Sequence, residues 1–361
     1  MAVSANDAKV VLDNGQVKVV PNPPPDTVTI LDLGTWPPQK VAEIPVPASV
    51  VGPPFSVAMA PDQSIALVAS SSRVDPKDPT RQAADNRLSV IDLRSSPPRV
   101  IATLEAGEGA SGVSINRAGT LALVANRNEG TVSVFTVSGK TVAPVGKVKV
   151  GDEKSGPSHV AITPDGRVAL VTRDGDHGLV LLKIEGSQVE ATARTFYAGL
   201  RPYGVDISPD GRIAVVANLG RGQGDADTVS VIDMAASPPR TVETVAVGQA
   251  PEGIKLSPDG RLLAVVLHNG SNLPHDSPFY NPNGKLLLFA VKGTNLFRLA
   301  EAPIGRWSQG VAFSADSKTL LVQNMVEKDI QVFRIADGQL RDTGERIALP
   351  GGGAAIRTAE K

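Results

Sequence analysis

His159, Arg201, Tyr203, Glu252, Trp307 and Gln309 are the residues through which this sequence could do chemistry. They fall roughly 50 residues apart or in neighbouring pairs, each at or just before the start of a short apolar run, which is the spacing of successive units in a repeat protein. His159 or Glu252 could act as a general base, and Arg201 or Arg173 could stabilise an oxyanion. Phe55, Ser158, Tyr203, Trp307 and Gln309 would line the same mouth, a mixed-polarity set suited to a small polar or anionic ligand. A metal-assisted variant would use His177, His268 or His275 with Asp174 or Asp176, since imidazole and carboxylate suit Zn or Cu. Asp174-Gly175-Asp176-His177 followed by Glu185 has the outline of a Ca loop, but Leu179 stands where that loop needs glycine, so a hairpin turn fits better. Residues 220–224, GRGQG, lack the Lys-Ser/Thr ending of a phosphate loop, and neither G-x-S-x-G nor H-E-x-x-H occurs.

The elements that must position these residues come from one repeated unit. Its clearest copy spans 207–234, with two alternating apolar runs, 212–218 and 228–234, each reading as a half-buried strand. Before the first run stands Ser208-Pro209-Asp210-Gly211, a tight turn in which Pro presets φ and Gly accepts a positive φ. Related tetrads lie at 60–63, 116–119, 163–166, 257–260 and 314–317, with a degenerate one at 4–7. The mean interval is about 52 residues, near that of propeller blades. Each unit reads as four strands, A to D; in the fifth copy these are 203–208, 212–218, 228–234 and 241–247. The B strands are expected near 8–12, 64–69, 120–125, 167–172, 212–217, 261–267 and 318–323. The segment 351–361 aligns with an A strand and supplies the inner strand the first copy lacks. The expected fold is therefore all-β, a single domain over 1–361: a seven-bladed propeller closed by a 3+1 shared blade, with no open ring edge.

Strand order sorts the connections onto two faces. A-to-B and C-to-D turns share one face and are tight. B-to-C and D-to-A connections share the other, with the long insertions at 13–26, 70–86, 219–227 and 268–284 and all four histidines. Binding sites concentrate on long loops held by a rigid scaffold. The regular acids Asp165, Asp210 and Asp259 belong to the tight-turn face and read as structural.

Leu123-Val124-Ala125-Asn126 and Val215-Val216-Ala217-Asn218, each after a tetrad and before a Val-Ser-Val strand, look like the YVTN-type repeat. The chain resembles the YVTN-repeat seven-bladed propellers, relatives of the propeller-type lactonases, over nearly its whole length. Gly156-Pro157-Ser158-His159 is similar to the Gly-Pro-Arg-His segment of those lactonases, with Ser158 at the arginine position and Arg173-Asp174 where an Asn-Glu pair would follow. The resemblance carries His159 over as a site residue and implies lactonase- or lyase-type chemistry as the alternative to plain binding of a small molecule or a protein partner.

Composition narrows the rest. A formal charge of −1 without a basic block argues against nucleic acid and anionic membranes. No apolar run approaches the roughly 20 residues of a membrane span. The absence of cysteine excludes disulfides and thiolate sites. The chain enters its first repeat at once, so no signal peptide is expected within it. A processed periplasmic or secreted monomer, with a cytoplasmic one as the alternative, fits the resemblance.

Overall fold

The computed structural model describes residues 1–360, and among them every regular element is a strand. Seven four-stranded antiparallel sheets form the blades of a propeller. In the fifth blade the strands run Pro202–Ile207, Ile213–Asn218, Asp227–Asp233 and Arg240–Gly248, from the channel outwards. The middle strands are not half-buried, as their alternation suggests, but buried on both faces. Ala214 and Val216 pack against Leu170 and Leu181 of the fourth blade, while Val215 and Ala217 pack against Leu263 and Val265 of the sixth. The period of two thus serves two neighbours, and the aliphatic, aromatic-poor composition supplies the small side chains that fit between twisted sheets.

The YVTN-like asparagines have a physical role at the B-strand ends. Asn218 Nδ2 donates to Thr228 Oγ1 and Ser230 Oγ, both at 2.9 Å. Asn126 does the same for Thr131 and Ser133 and accepts from the Gly107 N–H. Each buried amide fastens the loop-face end of its blade.

The first blade corrects one sequence expectation. Gly352–Thr358 is its inner strand, as expected, but the strand beside it is Ala2–Asp7, not 8–12. The degenerate tetrad at 4–7 is therefore strand, not turn. Its polar residues are buried but satisfied: Ser4 donates to Asn6, which donates to Thr29 at 2.9 Å, and Gln323 Nε2 donates to Ser4 at 2.7 Å. Val10–Asp13 and Gln16–Val19 form a separate hairpin in the B-to-C connection. Its tip meets the sixth blade's long loop, where the His275 N–H donates to Asn14 Oδ1.

The tetrads line the other face and stack on one another; a Cβ at Gly211 would lie 3.2 Å from Pro164, and one at Gly260 would lie 3.2 Å from Pro209. In five of the six an aspartate organises the turn, and in the tetrad at 116–119 Asn116 does so. Ser208 Oγ donates to Asp210 Oδ1 at 2.6 Å, and the Arg212 N–H donates to the same oxygen at 3.1 Å. These bonds, the Ser208 one foremost, hold the Asp210 carboxyl below the usual range.

Two outcomes are expected. Deleting residues 351–361 strips Ile356 from the core it shares with Ala312, Leu321 and Val332 and opens the ring, so the shortened chain should lose cooperative thermal unfolding; an unchanged melt contradicts ring closure by this strand. Asp210→Ala should cost about 1 kcal/mol at neutral pH in denaturant titrations. Because the folded carboxyl is the stronger acid, its contribution is complete above the unfolded value, ~3.9, and fades as pH falls through the lower folded one. The gap between variant and wild type should therefore narrow in acid.

Candidate functional site

The inner strands carry a bulge where they enter from the loop face. Register breaks at Ala110/Val113, Pro157/His159, Pro202/Val205, Pro251/Gly253 and Ser308/Val311. Bulges re-aim side chains. Ser111, Ser158, Tyr203, Glu252 and Gln309 occupy equivalent bulge positions and form the upper ring of the channel. A left-handed residue precedes each bulge by two places: Gly109, Gly156, Arg201, Ala250 and Trp307. Glycine takes that conformation freely, whereas a side chain such as Arg201 takes it at a cost of about 1–3 kcal/mol, a kind of strain that clusters at functional sites.

A charged network spans this mouth. Asp174 is shared by two guanidiniums, Arg127 at 2.8 Å and Arg201 at 3.1 Å. Arg127 also donates to Ser158 Oγ at 2.6 Å and lies over the Tyr203 ring, 5.3 Å from its centroid. On the other side of Tyr203, the Glu252 carboxylate accepts from His268 Nε2, and both side chains are buried. Gln309 is fully buried, and its Oε1 has no hydrogen-bond partner among the described residues. Burial, with the Glu252 and Asp174 charges against the opposing pull of Arg127, raises the Tyr203 phenol above its ordinary value. It therefore remains an O–H donor at neutral pH. Burial disfavours the Arg127 charge, but the Asp174 and Glu252 carboxylates oppose it and help keep the guanidinium protonated.

Arg127 and Asp174 were not among the residues that sequence spacing brought to this mouth as a pair. Both immediately follow a B strand, as does His268. That recurring position is the sequence signal that would have found them.

The remaining sequence candidates are placed elsewhere. His159 sits one residue deeper than the ring and is buried. Its Nδ1 accepts from the Val205 N–H at 3.4 Å, its Nε2 has no partner among the described residues, and burial with the Arg357 charge pushes its pKa well down. Phe55 fills the channel at that level. Its ring stacks on His159 at 4.1 Å, lies under the Arg357 guanidinium at 4.3 Å, and abuts Gly204. It divides the mouth from the lower channel. Arg173 does not join the mouth either: its guanidinium is held by Asp176 and the Val150 carbonyl. Trp307 packs beside Val10, Val50 and Met325, under the first-blade hairpin. The three histidines proposed as metal ligands are kept apart. His268 is paired with Glu252, His177 Nδ1 accepts from the Arg201 N–H at 3.2 Å, and His275 packs edge-on against Tyr280. Among the described residues no group of three His or carboxylate side chains could hold a metal ion. Among them too, no helix is long and apolar enough to cross a membrane.

The architecture is shared with solved propellers of low identity. The periplasmic gluconolactonase PpgL of Pseudomonas aeruginosa superposes with a TM-score of 0.70 at 18% identity, over 99% of each chain. A Bacteroides uniformis protein described as a candidate 6-phosphogluconolactonase gives 0.71 at 18%, over 98% of each. Hydrazine synthase of Kuenenia stuttgartiensis gives 0.66 at 19%, over 87% of this chain and 92% of that one. No family model matches the sequence, and no curated protein matches it. These neighbours establish the seven-bladed fold and, by their differing names, leave the chemistry to the site itself.

If Phe55 is a plug and not a ligand contact, Phe55→Ala should lower stability by about 3–5 kcal/mol in denaturant titrations, the cost of a large emptied core position. A variant as stable as wild type contradicts the plug.

Proposed function

We propose that the protein binds a small hydroxy acid at the long-loop mouth. The observation that carries this reading is the sharing of Asp174 between Arg127 and Arg201. Arg201 is the more exposed of the two, at 37% of its side chain. An incoming carboxylate can take its guanidinium while Asp174 keeps Arg127 and Ser158. The unpartnered Gln309 Oε1 and the Tyr203 phenol add an acceptor and a donor for ligand hydroxyls. A polyhydroxy acid of the aldonate class meets all of these groups.

The Glu252–His268 contact favours a second reading, hydrolysis of the corresponding lactone. Glu252 would take a proton from water as its oxygen bonds to the lactone carbonyl carbon. Arg127 and the Tyr203 hydroxyl would stabilise the oxyanion. Collapse would break the ring C–O bond, with the proton returned through His268 to the leaving alkoxide. The product is again an aldonate, so the binding groups serve both readings. PpgL, a neighbour in fold, is named a periplasmic gluconolactonase, which supports an aldonate as first probe and a periplasmic location.

Calorimetric titration with D-gluconate should show saturable binding, weakened by Arg201→Ala by about 1.5–3 kcal/mol, the worth of a charge-assisted bond. Wild-type affinity in Arg201→Ala contradicts the site. Glu252→Gln separates the two readings. It should leave gluconate affinity equal or tighter, and if the protein is a hydrolase it should lower kcat for D-glucono-1,5-lactone while leaving KM little changed.

A further inference from the structure

Beneath Phe55 the channel changes character. The layer below holds Asp206, Lys255 and Arg357, all with no more than 8% of their surface exposed, and the unpartnered His159 Nε2 borders the same chamber. Lys255 Nζ contacts Asp206 Oδ1 at 3.0 Å and Glu360 Oε1 at 2.6 Å. Glu360 lies beyond the last strand, and half of its side chain is exposed. Among the described residues the Arg357 guanidinium donates only to the carbonyl of its neighbour Ile356, at 3.4 Å, and otherwise rests on Phe55. Two cations and one anion among the described residues are therefore built into the channel wall, and a carboxylate from outside the blades balances them. Without Glu360 the layer would carry one excess buried positive charge, which is costly unless an anion answers it.

This layer opens on the tight-turn face into a cavity of about 570 Å3. Its wall is mixed: Leu33, Trp36 and Phe313 give an apolar side, Gln63, Asp316 and Arg334 a polar one, and Arg117 stands at its edge near Glu360. A buried cationic end below an open cavity with one apolar side matches a molecule with one carboxylate and a hydrophobic body.

We propose that the tight-turn face carries a second ligand site, for an amphipathic organic acid whose carboxylate replaces that of Glu360 on Lys255, with the Arg117 charge nearby, while its apolar part lies along Leu33, Trp36 and Phe313. Glu360 is then a built-in competitor, and the Phe55 plug keeps this site separate from the mouth.

The two tryptophans of the sequence report on the two faces separately, Trp36 on this cavity and Trp307 on the loop face, under the first-blade hairpin. In full-length Trp307→Phe protein, 4-phenylbutyrate should shift Trp36 emission saturably, and uncharged 4-phenylbutanamide should not. Adding Glu360→Gln should tighten the acid by about tenfold, and adding Lys255→Met should weaken it by at least about tenfold. Arg117→Ala, at the cavity edge, should weaken it severalfold and serves where Lys255→Met, which strands Asp206, fails to fold. The proposal is overturned by an amide that binds as well as the acid, by unchanged affinity in both Glu360→Gln and Arg117→Ala, or by no saturable response up to about 10 mM. A response confined to Trp307 in Trp36→Phe protein places binding on the loop face and also overturns it. Loss of gluconate binding at the mouth would leave these readouts untouched.

Discussion

Seven inner strands must converge on one axis, and the space left between them decides what the channel can hold. At the level just inside the mouth that space is too small for side chains. A Cβ at Gly112 would fall 2.6 Å from the His159 backbone, one at Gly253 would fall 2.2 Å from the Gln309 carbonyl oxygen, and one at Gly310 would fall 2.7 Å from the Ile356 nitrogen. Real Cβ atoms do not approach so closely, so four of the inner strands carry glycine there, with His159 and Phe55 filling what remains. The layers above and below are wider and carry the charged groups. Close packing in the middle thus produces two chemically separate ends from one repeated strand.

Much of this was legible because the repeat is punctuated by residues with fixed backbone roles. The Pro-Asp-Gly turns and the asparagines at 126 and 218 mark A-to-B turns and B-strand ends, and their spacing implies the blade number and the closing strand. The first blade was misassigned because Ser4-Ala5-Asn6-Asp7 has a turn-like composition, and only the long-range partners Thr29 and Gln323 show that its polar groups can be buried. The upper ring was readable from its position at the A-strand starts. Its partners Arg127 and Asp174 were not, because they enter from the ends of different strands and meet only across blades. The lower layer was hidden by the bulge. The shift in phase lets Glu252 and Lys255, three residues apart, both face the axis, which strict alternation forbids.

The mouth and the lower channel use charge differently. At the mouth, Arg201 is partly exposed and shares its carboxylate, so a ligand can compete for it at modest cost. In the lower channel Lys255 and Arg357 are buried, and the answering anion comes from a segment outside the blades. Rigid blades supply both arrangements, and neither requires the ring to move.

The central claim is that the Arg127–Asp174–Arg201 group receives a ligand carboxylate, and a crystal structure of the full chain grown with saturating D-gluconate tests it directly. The account predicts density for the sugar acid above Tyr203, its carboxylate on Arg201, a hydroxyl within hydrogen-bond distance of Gln309 Oε1, and Asp174 retained on Arg127. Density only on the tight-turn face or on the outer blades, with Asp174 still bridging both arginines, would contradict it.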